Sequence, residues 1–176
     1  MSPNSKLFHP LRALSFCRGA PPRAPLRLLS GLLDLVLPPR CVACDALVAF
    51  DATLCAACAV GLVAPDRACP RCAEPGGRRH CARCRALRPS FDQLVAPWLY
   101  GGPLADGIRR LKYQHRSELA RPLARLVPLE PLRELGVDRV LPVPLHRRRL
   151  AQRGYNQAAL LARPLARALR RPLDCG

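Results

Sequence analysis

Apolar residues recur three and four apart in the second half of the chain and are thinly scattered before it. Leu104, Ile108 and Leu111 keep that spacing behind Pro103 and predict a helix over 103–113, with Lys112 near its end where a cation suits the helix dipole. Ser117 opens a second predicted helix reaching about 126, with Pro122 marking the start of its regular part. The same period returns over 156–170, where Pro164 costs ~3 kcal/mol and predicts a kink or two short helices. Two runs have strand character: 91–100, limited to a sheet edge by Pro97, and 139–143. Residues 27–37 predict a short amphipathic helix, interrupted by Ser30, Gly31 and Asp34 and ended by Pro38 and Pro39. Residues 1–25, with Arg12, Arg18, Arg23 and several prolines, predict a disordered extension. No run reaches the roughly 20 apolar residues of a membrane span. The hexapeptide Ala-Arg-Pro-Leu-Ala-Arg occurs at 120–125 and again at 162–167, a match short enough to reflect composition.

Between residues 41 and 84 this pattern fails. Phe50 is the sole aromatic there, Ile is absent, and Leu and Val are few. So small a core cannot offset roughly 1–2 kcal/mol of backbone entropy per ordered residue. What recurs instead is Cys-x-x-Cys: Cys41 and Cys44, Cys55 and Cys58, Cys69 and Cys72, Cys81 and Cys84. Two thiolates at that spacing grip one cation from a single turn, and two such turns complete a tetrahedral shell of four sulfurs. The eight cysteines therefore predict two structural zinc sites, each supplying an apparent ~10–16 kcal/mol in model peptides. Four disulfides would suit a secreted domain, but no convincing signal peptide precedes this segment, and cytoplasm is the expected compartment. A thioredoxin-like redox pair needs one such motif, not four in series. Iron in a four-cysteine site has compatible spacing. Sequential closure joins the first pair to the second and the third to the fourth; interleaved closure joins the first to the third. Shorter loops favour the sequential arrangement, though each doubling of length costs only about 0.6 kcal/mol. Cys17 and Cys175 stand outside the pairs and read as incidental thiols.

The formal charge of +17 shifts once the metals are counted. Eight thiolates and two zinc ions together add −4, leaving about +13. The cations are arginines apart from Lys6 and Lys112, and the wealth of Arg, Ala, Leu and Pro points to a compositional bias behind part of the charge. Arg71, Arg78, Arg79, Arg83 and Arg85 crowd the second half of the cysteine segment. They either neutralise thiolates or face phosphates of a nucleic acid.

The stretch VLPVPLHRRRLAQRGYNQAALLA (140–162) resembles the signature of the ComF/GntX competence-protein family. Its Arg153-Gly154-Tyr155-Asn156-Gln157 carries Tyr where the family more often has Phe, and YGGPLADGIRRLKY (100–113), with Lys112, is similar to the preceding family helix. The resemblance implies a double zinc ribbon followed by an α/β domain of the type I phosphoribosyltransferase-like class. Pattern and resemblance together divide the chain into a disordered extension (1–25), a short helix packing on the ribbon (26–39), the ribbon (40–88) and the N-terminal part of the phosphoribosyltransferase-like domain (89–176). It places a pyrophosphate loop at Pro144, Leu145 and His146, where backbone amides form a nest for anionic oxygens. Gly154 is then expected at positive φ and Asn156 at a helix N-cap. The family's Asp-Asp and Thr-Thr-Gly motif does not occur in these residues, so the α/β domain is expected to be incomplete, truncated and without catalytic residues. Phosphoribosyl pyrophosphate (PRPP) is expected only in a full-length relative, and a small-molecule substrate is not expected for this chain. The implied role is competence and DNA uptake, with single-stranded DNA or the uptake machinery as partner. The alternative is an adaptor that binds nucleic acid through its zinc ribbons.

Overall fold

The computed structural model describes residues 38–77 and 79–175. The extension expected over 1–25, Cys17, and nearly all of the helix expected over 26–39 lie outside these residues.

The cysteine segment folds as two copies of one plan. Each begins with a tight knuckle: Asp45 N donates to Cys41 O (3.0 Å) and Cys41 N to Ala46 O (2.8 Å), matched by Ala73 N to Cys69 O and Cys69 N to Glu74 O, both 2.9 Å. The residue after the second cysteine closes the knuckle in the left-handed region, Asp45 at φ 69° and Ala73 at φ 56°. A single antiparallel bridge braces each knuckle, Arg40 with Leu47 and Ala68 with Pro75. The second pair of each copy opens a short helix, α1 (Ala56–Val60) behind Cys55 and α2 (Ala82–Leu87) behind Cys81. With so few apolar residues, the ribbons have little besides these turns to organise them.

A helical body follows: α3 (Gly102–Tyr113), a 3-10 turn (Ser117–Leu119) running into α4 (Ala120–Arg125), then α5 (Glu130–Glu134), α6 (Arg147–Arg153) and α7 (Gln157–Leu169). Val42, Leu111, Leu119, Ala120 and Leu123 form its buried cluster, flanked by Leu54, Leu126, Tyr155, Leu160 and Leu161. The hexapeptide that looked compositional has a structural use. One copy is α4 and the other lies in α7, the two helices pack together, and both alanines of each copy are buried (Ala120, Ala124, Ala162, Ala166). Pro164 sits inside one continuous helix rather than dividing it. The buried alanines and the Asn156 cap support the helix against the ~3 kcal/mol an interior proline costs.

The strand expected over 91–100 does not form. That segment is a connector, held by Leu94 N to Arg71 O (2.7 Å) and Leu99 N to Val63 O (2.8 Å), too sparse for a ladder. Trp98 Nε1 anchors it by donating to Leu126 O at 2.6 Å. The run 139–143 contributes one parallel bridge, Val140 with Leu173, through Val140 N to Pro172 O and Asp174 N to Val140 O, both 2.9 Å. Parallel pairing demands a long crossover, and α6 and α7 supply it. Cys175, expected as an incidental thiol, is disulfide-bonded. Among the described residues no helix is long and apolar enough to cross a membrane.

Candidate metal centres

The knuckles and helix starts bring the eight cysteines into two clusters, Cys41, Cys44, Cys55 and Cys58 in one and Cys69, Cys72, Cys81 and Cys84 in the other. Sequential closure is therefore the arrangement adopted. Within each cluster the sulfurs lie within 4.8 Å of one another. A tetrahedron with Zn–S bonds of about 2.3 Å separates its sulfurs by about 3.8 Å. Cys44 and Cys55 stand 3.7 Å apart and Cys72 and Cys81 3.6 Å apart, so both clusters fit a zinc ion in size as well as in donor chemistry.

The backbone prepares these sulfurs for metal. Burial pushes the Cys41 thiol up, but N–H groups of Cys44, Cys55 and Ala43 directed at its sulfur prevail and bring it down to about 6. Amides of Cys72, Cys81 and Arg71 likewise hold Cys69 down to about 6 against the cost of burial. Burial and neighbouring sulfurs push Cys58 up, and Cys84 up to about 12. One sulfur per cluster, Cys41 and Cys69, is thus poised as thiolate, and a bound cation would favour the thiolate form of Cys58 and Cys84 beside it.

The first ribbon is joined to the helical body by a contact no spacing argument reveals. Val42, at the tip of the first knuckle, is 0% exposed and packs into the cluster around Leu111 and Leu123. Gly107 on α3 makes room: a Cβ there would stand 3.1 Å from Leu123 Cδ2 and 3.4 Å from Val42 Cγ2. Arg110 donates to Val42 O (3.2 Å) and pairs with Asp45 Oδ2 (3.0 Å), while Arg116 meets Asp45 Oδ1 at 3.3 Å. The Arg116 and Arg110 guanidiniums hold the Asp45 carboxyl below its usual range.

The signature residues of the second half fall into separate places. Lys112 and Arg153 line a hollow of about 200 Å³ with Tyr113, His115, Arg149 and Gln152. Arg153 lies 5.1 Å over the Tyr113 ring and donates to Gln157 Oε1 (3.0 Å). Gly154 ends α6 at φ 77°. Tyr155 turns inward, its hydroxyl donating to Leu111 O at 2.5 Å. Asn156 caps α7, accepting from Ala158 N (2.9 Å) and donating to Val143 O (3.1 Å). Pro144 and Leu145 form an irregular turn into α6, and His146 Nδ1 accepts from Arg148 N (3.3 Å) as its cap. Sequence reasoning missed Asp45, Arg110 and Arg116 because they meet only across the fold. It also missed His115 of the hollow.

Fold and centres together define a double-zinc-ribbon protein whose two tetracysteine clusters fit two structural zinc ions. The family model described as a double zinc ribbon domain matches residues 32–88. The chain is 37% identical over 144 residues to the DNA utilization protein YhgH of Shigella flexneri and to that of Escherichia coli, covering 77% of this chain and 63% of each relative. It is 38% identical over 97 residues to competence protein F of Haemophilus influenzae, covering 52% of this chain and 42% of that one. The chain thus spans just under two thirds of the length of the curated relatives YhgH. No solved structure matches it. The ribbon match and these relatives together support a ComF-family assignment.

Proposed function

We propose that this chain serves a ComF-type role in handling DNA taken up by the cell, its ribbons (40–88) set against the N-terminal part of a phosphoribosyltransferase-like α/β domain (89–176). The observation that carries this is the isolated parallel Val140–Leu173 bridge around the α6–α7 crossover, in a chain that also carries a double zinc ribbon. Parallel strands with helical crossovers are the building unit of that fold class. The names of the relatives, DNA utilization protein and competence protein, supply the cellular role. This reading puts the protein in the cytoplasm, where ribbon thiols stay available to zinc. No transfer reaction is assigned to these residues. The turn at Pro144, Leu145 and His146 would serve the pyrophosphate of PRPP only beside an Asp-Asp and Thr-Thr-Gly motif, and His146 is already engaged in capping α6. Lys112, Arg149 and Arg153 gather cations in a separate hollow.

The test is deletion of the gene in its own host, followed by complementation with the intact gene or with Cys44→Ser. Deletion should depress both transformation by linear DNA and growth on DNA as nutrient, and Cys44→Ser should fail to restore either. Unchanged transformation and unchanged growth on DNA would refute the role. The adaptor reading, in which a ribbon itself holds nucleic acid, is favoured by the exposed arginines of the second ribbon.

A further inference from the structure

The two ribbons share a local fold and differ in what they present outward. In the first, the knuckle tip Val42 is buried, and Asp45 is tied to Arg110 and Arg116. Thr53 Oγ1 adds a bond to Pro122 O at 3.4 Å. In the second, the equivalent tip is Pro70, exposed, and the place of Asp45 is taken by uncharged Ala73. Its bonds run to the connector instead, from Leu94 N to Arg71 O and from Arg71 Nε to Asp92 O (3.4 Å).

Charge follows the same division. Residues 40–58 hold one arginine against two aspartates, residues 67–88 seven arginines against one glutamate. With each four-thiolate zinc centre counted as −2, that is about −3 on the first ribbon and about +4 on the second. Among the described residues, Arg67, Arg79, Arg83, Arg85 and Arg88 have no carboxylate at ion-pair distance. Arg79, His80 and Arg85 line, with Glu74 and the Gly76–Gly77 turn, a groove of about 720 Å³ against Cys69 and Cys81. This is within the ~300–1,000 Å³ of ordinary ligand sites. Past Arg71 the connector exposes Phe91 (42%) and Leu94 (44%), and α2 ends on Leu87, 69% exposed.

A cationic ribbon whose connector exposes Phe91 and aliphatic side chains suits a strand whose bases are unpaired, since phosphates take the charge and bases stack on apolar faces. Duplex reading through the major groove would need a longer helix than the six residues of α2. We infer that the second ribbon is the surface on which the protein holds single-stranded nucleic acid, with phosphates in the groove of Arg79, His80 and Arg85 and a base against Phe91. The first ribbon is its anchor to the helical body. This assignment rests on the DNA-handling role proposed above.

The test uses the zinc-loaded full chain and a fluorescent oligothymidylate, with binding read by anisotropy across a salt series. Replacing both Arg79 and Arg85 by Gln should weaken binding about tenfold or more and flatten the log K against log salt slope by about 0.7 for each phosphate no longer neutralised. Phe91→Ala should weaken single-strand binding roughly tenfold and leave duplex binding unchanged. Arg109→Ala, on α3 away from the second ribbon, should change neither. Zinc content of two per chain confirms that each variant is folded, and Phe91→Ala decides the matter if the arginine variant loses metal. Unaltered affinity and slope in the arginine variant, with wild type binding, would overturn this site and leave the DNA-handling role standing. Wild type that prefers duplex, or binds no oligothymidylate although gene deletion abolishes transformation, would also overturn it.

Discussion

Val42 and Pro70 occupy the same place in two copies of one knuckle, yet one is buried and the other faces water. Val42→Ala should therefore cost about 2 kcal/mol of unfolding free energy, from reduced burial plus the cavity left beside Leu111 and Leu123. Pro70→Ala should stay within about 0.5 kcal/mol. Chemical denaturation of the zinc-loaded chain measures both, and equal effects would show that the two knuckle tips are engaged alike. Asp45 is a second case where neighbours set the behaviour of a residue. Its carboxyl is depressed by Arg116 and Arg110, so its contribution is complete above its unfolded value and fades only as pH falls through the lower folded value. Asp45→Asn should cost about 1 kcal/mol, the upper range for a partly exposed pair, with no change in that cost from about pH 5 upward. Melting curves of both proteins across that range provide the check, and a cost that grows between neutrality and mild alkali would contradict the assignment.

At the scale of elements, capping and turn chemistry were legible before packing was known. The period of Leu104, Ile108 and Leu111 gave α3 nearly to the residue, and Gly154 and Asn156 take the backbone roles their types suggest. Asn156→Ala should destabilise by about 1 kcal/mol through loss of the α7 cap, and should loosen the turn at Pro144 by removing the bond to Val143 O. Thermal melting together with amide exchange near Val143 would register it. Strands were less legible. The run 91–100 has β-type residues, but a strand is defined by a neighbour, and only isolated bonds to Val63 and Arg71 are offered. Helices α5 and α6 went unforeseen because they are short and polar, without an apolar period to announce them.

At the scale of the molecule, zinc acts beyond the ribbons. The first centre fixes the knuckle that carries Val42 into the helical core, so losing it removes part of that core. The second centre supports a surface. Cys44→Ser should thus lower both zinc content and the melting temperature of the helical body, whereas Cys72→Ser should release one zinc and leave helical melting near that of the unaltered chain. Metal analysis and far-ultraviolet circular dichroism on the same samples distinguish the two. Equal loss of helical stability in both would mean the centres share one role.

The spacing of the cysteines, taken alone, was enough to foretell two metal sites, because a Cys-x-x-Cys turn is a local geometry that four residues specify. Helical periods and caps are local in the same sense. Which ribbon becomes an anchor and which a surface depended on Val42 and Asp45 meeting Leu123, Arg110 and Arg116, residues roughly seventy to eighty positions away. Likewise the alanines of two matching hexapeptides became a helix seam only once α4 lay on α7. Contacts at such separation leave no periodic trace in a sequence, so tertiary structure alone decided them.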